Sequence, residues 1–153
     1  KIDIRNAMGW DLATLEATIK KEKADVVFID QADKIMVQGN FEATHHRLRE
    51  LYLQLREVAK RQNCALFAVS QANASAKGRT RITPFDAEGS KIGKFAEADL
   101  VLGLGMYDDD NVGETGDDES NSARFITVGK NKLNGYHGVI TCRIDIKRSR
   151  YTE

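Results

Sequence analysis

Two kinds of apolar pattern alternate along this chain of 153 residues. One is a helical spacing of three and four. Leu12, Leu15 and Ile19 share a face behind Asp11, a fitting N-cap, and Lys20, Lys21 and Lys23 close the last turn. The clearest case spans about residues 42–62, where Leu48, Leu51, Tyr52, Leu55, Val58 and Ala59 recur opposite Arg and Glu. The other pattern is a short continuous run. Val26-Val27-Phe28-Ile29 stops at Asp30, and Ala65-Leu66-Phe67-Ala68-Val69 stops at Ser70-Gln71. Unbroken β-branched and aromatic runs of this length predict strands covered on both faces, as in a parallel sheet.

Residues 100–104 form a third such run, and residues 95–98 before it predict a short helical turn. Residues 1–5 alternate charge and apolarity and predict a short strand with Ile2 and Ile4 on one face. The chain closes on two alternating segments, Arg124 to Val128 and Val139 to Ile146, around Asn134-Gly135, which predicts a hairpin. Strands alternating with helices, then a hairpin, imply an α/β fold with a mostly parallel sheet. No internal repeat is present.

Composition narrows the function classes. Lys+Arg and Asp+Glu number 23 each, so net charge offers no global attraction to nucleic acid, and any basic surface must be local. Residues 77–94 supply one: Lys77, Arg79, Arg81, Lys91 and Lys94 outnumber Asp86 and Glu88, among small residues that permit a mobile loop. Phe85 after the single proline, Pro84, is placed either to stack on a base or to pack on the loop's own foot. Residues 108–119 are acidic and carry no basic side chain, and they predict a solvated loop. Cys64 and Cys142 sit in apolar runs without metal-ligand spacing, as buried thiols in a reducing compartment do. No stretch has the length and apolarity of a membrane span and no signal sequence opens the chain, so a soluble intracellular protein is expected. His45-His46 lacks further ligands and reads as a solvated pair, and Trp10 as packing at the start of the first helix.

Candidate chemistry gathers at strand ends. In open α/β sheets, ligands bind at the carboxyl edge. Asp30 there has the character of a carboxylate orienting Mg²⁺ through coordinated water, although a helix-capping Asp has the same sequence appearance. Gln71 beside it suits hydrogen bonding to a terminal phosphate or attacking water, or equally the capping of a turn.

The order VVFID, LRELYLQLREVAK, LFAVSQAN, GSKIGKFAEADLVLGLG and VGKNKLNG resembles the RecA-like ATPase domain of DnaB-type replicative helicases and phage primase-helicases. The resemblance runs from about residue 26 to residue 146, most of the chain. It implies a RecA-like sheet flanked by helices with a C-terminal antiparallel hairpin. Residues 1–153 would be part of a helicase core domain, from the Walker B strand onward. It implies Asp30 as the Walker B, metal-orienting carboxylate, Ser70 with it at the nucleotide, and Gln71 as the γ-phosphate sensor. Lys130 and Lys132 would reach the nucleotide of a neighbouring subunit, and Lys77, Arg79, Arg81, Lys91 and Lys94 would contact DNA. The implied ligands are ATP or another NTP with Mg²⁺. The implied partners are single-stranded DNA and further copies in a ring, a hexamer, with no membrane. The implied location is the cytoplasm, the host's if the protein is phage-encoded.

Two departures stand out. Lys132 occupies the place of an arginine finger and lacks the planar fork that grips two phosphate oxygens. No G-x-x-x-x-G-K-[ST] loop is present, and residues 89–95 imitate one with a residue too few and no Ser or Thr after the lysine. The alternatives are a recombinase or other RecA-fold ATPase, and a non-catalytic nucleic-acid-binding module that lost its phosphate loop.

Overall fold

The computed structural model of the chain describes residues 1–87, 93–107, 122–145 and 147–152. These divide into two compact units: Lys1–Gln71 with Glu88–Glu97, and Ala72–Ala87 with Ala98–Glu153.

In the first unit, α1 (Leu12–Glu22) begins where the Asp11 carboxylate accepts the Thr14 amide at 2.8 Å, and it buries Leu12, Leu15 and Ile19. It stops at Lys23, a non-glycine residue in the left-handed region. Helix α2 (Thr44–Gln62) buries Leu48, Leu51, Leu55 and Val58 and stops at left-handed Asn63, a residue that tolerates this conformation. Each fully buried leucine contributes about 1.5–3 kcal/mol. Arg61 and Gln62 reach from α2 to Glu16 of α1 and pin the helices together at their solvent edge. Trp10 packs partly buried against the same core.

Strands β1 (Val26–Ile29) and β2 (Ala65–Ala68) pair in parallel, Val26 opposite Ala65 and Ile29 opposite Ala68. The expectation of two covered faces holds for one. Ile29 is buried, and Val27, Leu66 and Ala68 pack half-buried against the helical core. Phe28 and Phe67 stay 71% and 47% exposed and stack on each other at 4.6 Å. The helices of this unit cover one side of the strand pair, and apolarity alone does not report whether the other side has a cover. Residues 1–5 form no strand either: Ile2 and Ile4 are about 90% exposed, and Arg5 ties the segment to Glu22. Two isoleucines without a neighbouring strand have no ladder to join. The short helix α3 (Gly93–Ala96) lies two residues earlier than its apolar residues suggest, and Arg56 of α2 donates to the Glu97 carbonyl beyond it at 2.8 Å.

In the second unit, β3 (Leu100–Gly105), β4 (Ala123–Asn131), β5 (Gly138–Asp145) and β6 (Arg150–Thr152) form an antiparallel sheet in chain order. The hairpin joins β4 to β5. The Asn131 side chain accepts the amides of Leu133 and Asn134, and Gly135 takes the positive φ of 74° that the turn needs. The expected mostly parallel sheet is corrected here. Among the described residues the parallel sheet has two strands, and β3 joins the hairpin sheet antiparallel to β4. An apolar run shows that a strand is buried but not the direction of its neighbour.

Residues 72–87 also differ from the expected mobile loop. Thr83 and Asp86 form a reciprocal capping box at the 3₁₀ turn Pro84–Asp86, and Asn73 donates to the Asp86 carbonyl at 2.7 Å. The segment lies on glycine backbone: a Cβ on Gly105 would meet the Arg79 carbonyl at 2.6 Å, and one on Gly129 would meet Pro84 Cδ at 2.8 Å. No helix among the described residues is long and apolar enough to cross a membrane. Cys142 is buried, and burial pushes the half-buried Cys64 thiol up.

Candidate functional site

The parallel register ends β1 and β2 level with each other. The Val69 amide donates to the Ile29 carbonyl at 2.9 Å, and the Ala32 amide returns a bond to the Val69 carbonyl at 3.0 Å. These two rungs continue the ladder past the strands and present Asp30 and Gln71 at one carboxyl edge. Both side chains are exposed. Between Asp30 and the 3₁₀ turn Ala32–Lys34, Gln31 takes a left-handed φ of 52°, a strained conformation for a residue with a Cβ. The chain thereby reverses directly behind the Asp30 carboxylate.

Ser70 is placed differently from a nucleotide ligand. Its hydroxyl donates to Asp33 Oδ2 at 2.9 Å and accepts from Lys94 Nζ at 2.9 Å, so it is engaged within the protein. Lys94 is only 1% exposed, and its ammonium lies 2.5 Å from Asp33 Oδ2 and over the Tyr52 ring. This corrects the expected DNA contact for Lys94. An ammonium held by a carboxylate inside the protein is not available to a phosphate chain. The same bonds keep the one described lysine of the imitation loop away from a nucleotide.

The other half of this cluster escaped the sequence reading. Asp33 Oδ1 accepts from the Tyr52 hydroxyl at 2.8 Å, and the Arg47 guanidinium donates to the Asp33 carbonyl at 3.0 Å. Burial, and then the Asp33 charge, push the Tyr52 phenol up, which keeps it a neutral donor. A signal did exist: Tyr52 stands in the apolar stripe of its helix, and a hydroxyl facing a core requires a partner.

The remaining candidates belong to the second unit. Lys130 is half-buried on β4 opposite Val101, beside a bulge in the β3 register. Lys132 is exposed; its amide donates to the Asp99 carbonyl at 2.8 Å, and its ammonium lies 3.6 Å from the Asp99 carboxylate. Lys77 and Arg81 are exposed, and Arg79 pairs with buried Asp86 at 2.8 Å while keeping half its side chain in solvent. Phe85 is exposed too. Lys91 and the acidic residues 108–119 lie outside the described residues.

Asp30 suits Mg²⁺ in one respect, as an exposed carboxylate on a rigid strand end. Among the described residues no group of three His, Cys, Asp or Glu side chains could hold a metal by itself. The ion would therefore arrive with nucleotide phosphates as its other ligands.

No protein-family model and no curated protein sequence matches this chain. Solved structures do. The ATPase domain of one DnaB-like helicase matches with a TM-score of 0.78 at 14% identity, over 94% of this chain and 51% of that one. A DnaB-like replicative helicase, studied with its primase interactions, matches with a TM-score of 0.77 at 15% identity, over 94% of this chain and 36% of that one. The chain thus has the fold of DnaB-like helicase ATPase domains and spans about half or less of the length of these neighbours.

Proposed function

We propose that this chain is part of a ring-forming, NTP-hydrolysing replicative DNA helicase that translocates on single-stranded DNA. The observation that carries the reading is the level ending of β1 and β2. It presents a carboxylate and a carboxamide, Asp30 and Gln71, at one sheet edge in a fold shared with helicase ATPase domains. In this reading Asp30 orients the metal of a bound nucleotide through water, and Gln71 hydrogen-bonds the terminal phosphate or the attacking water. Magnesium, when bound, neutralises charge on the phosphates. Lys130 and Lys132 act on the nucleotide of the adjoining copy in a hexameric ring. Lys77, Arg79 and Arg81, with Lys91, hold the DNA backbone, and Phe85 offers a stacking face. The protein works in the cytoplasm, the host's if it is phage-encoded.

The test uses the intact protein that carries this chain. Single-stranded DNA stimulates its nucleotide hydrolysis, and Asp30→Ala or Gln71→Ala lowers kcat by about 100-fold or more. Neutralising Lys77, Arg79 and Arg81 weakens binding to all sequences alike and flattens the salt dependence by about 0.7 per lost contact. The 153-residue chain alone, which contains no phosphate loop, hydrolyses nothing. Wild-type turnover by intact Asp30→Ala would refute the motor reading. The missing phosphate loop favours a second reading, a nucleic-acid-binding module without catalysis. DNA binding by an intact protein that binds no nucleotide would establish it.

A further inference from the structure

Lys94 joins three pieces of chain that are far apart in sequence. Its ammonium bonds Asp33, in the turn that follows β1, and Ser70, at the end of β2. Lys94 itself lies on α3, where the chain has come back to the first unit after leaving it at Gln71. Asp33 is three residues past Asp30, and Ser70 is the residue before Gln71. The segment that starts at Ala72 therefore has both ends fastened to one buried ammonium, through Ser70 on the outgoing side and α3 on the returning side.

Stability alone is a poor account of this arrangement. A buried ion pair adds little over apolar side chains of the same volume, because the desolvation of two charges offsets their attraction. Geometry is what it supplies. Asp33 is held on four sides, by Lys94, Ser70 and Tyr52 at its carboxylate and by Arg47 at its carbonyl. A displacement of α3 must then break a buried charge pair or carry Ser70 and the Asp33 turn with it. Gln71 and Asp30 lie next along the backbone from those two points.

Building on the reading of Asp30 and Gln71 as the nucleotide-facing pair, we propose that Lys94 is a positioning residue that couples the two activities. Through Asp33 and Ser70 it transmits the state of the excursion 72–87, where Lys77, Arg79 and Arg81 lie, to the strand ends that carry Asp30 and Gln71. Its ammonium touches neither substrate. It makes hydrolysis responsive to DNA.

The readout is the ratio of kcat with and without single-stranded DNA in the intact protein. The variants are Lys94→Met and the double variant Lys94→Met/Asp33→Asn, each with a melting curve. The double variant leaves no buried charge unpaired, so it keeps the fold where the single variant loses it. Its ratio falls at least about fivefold, the lower end of ordinary coupling between two sites. A purely structural role makes the opposite forecast, that the ratio returns together with the melting temperature. A folded double variant with the wild-type ratio overturns the proposal, as does a double variant that does not fold. An intact wild-type protein with no DNA-stimulated hydrolysis is a different failure: it removes the functional reading itself, before any variant is measured.

Discussion

Lys94 Nζ and Asp33 Oδ2 lie 2.5 Å apart across 61 residues of sequence, the lysine side chain wholly buried and the aspartate a quarter exposed. Removing one partner strands the other charge. Lys94→Ala is expected to cost about 3–5 kcal/mol in urea denaturation, whereas Lys94→Met/Asp33→Asn costs less than either single change. Additive losses across that cycle would mean that the two charges do not act as a pair.

Asp86 organises the segment that carries the candidate DNA contacts. It is 6% exposed, and one carboxylate oxygen accepts from the amide and hydroxyl of Thr83 while the other faces Arg79. Asp86→Ala is expected to cost about 2 kcal/mol, since charge-assisted bonds to a buried group are lost together. Hydrogen exchange at the Thr83 and Asn73 amides should accelerate well before global unfolding. Unchanged protection at both would show that the turn holds without its cap.

The glycines of β3 and β4 act as seats for that segment. Gly105→Ala places a methyl 2.6 Å from the Arg79 carbonyl and 2.7 Å from the Thr80 carbonyl carbon, both backbone atoms that cannot rotate away. A loss of about 1–3 kcal/mol is expected, with the same direction for Gly103→Ala. Gly9→Ala serves as the control, because nothing lies within 4 Å of a Cβ there and only its positive φ resists. A smaller loss at Gly105 than at Gly9 would contradict the close approach.

Glu16 sets an acid limb. The hydrogen bonds from Arg61 first, and then from Gln62, hold its carboxyl at about 2, well below the ordinary 4.5. A depressed folded value means that the stabilisation is complete above 4.5 and drains away as pH falls towards about 2. Glu16→Gln should therefore cost about 0.2–1 kcal/mol at neutral pH, the range for exposed ion pairs, and nothing near the acid end. A penalty that stays constant over this interval would assign the effect to packing instead of charge.

How much was legible in advance differs from residue to residue. The helices around Leu15 and Leu51, the paired strand ends at Asp30 and Gln71 and the Asn134-Gly135 hairpin all follow from local pattern. Each is decided by near neighbours in sequence: a period of 3.6 or 2, a cap, a turn residue. The nearness of Asp30 to Gln71 needed only one further inference, that two unbroken apolar runs joined by a long helix pair in parallel. Three features were decided by tertiary structure alone. Strand β3 lies antiparallel to β4, Lys94 is drawn inside to Asp33 and Ser70, and the Arg79 backbone rests on Gly105. All three depend on which distant atom fills a given space. A lysine reads as a solvated cation until a carboxylate 61 residues away occupies the one place where its charge can be buried.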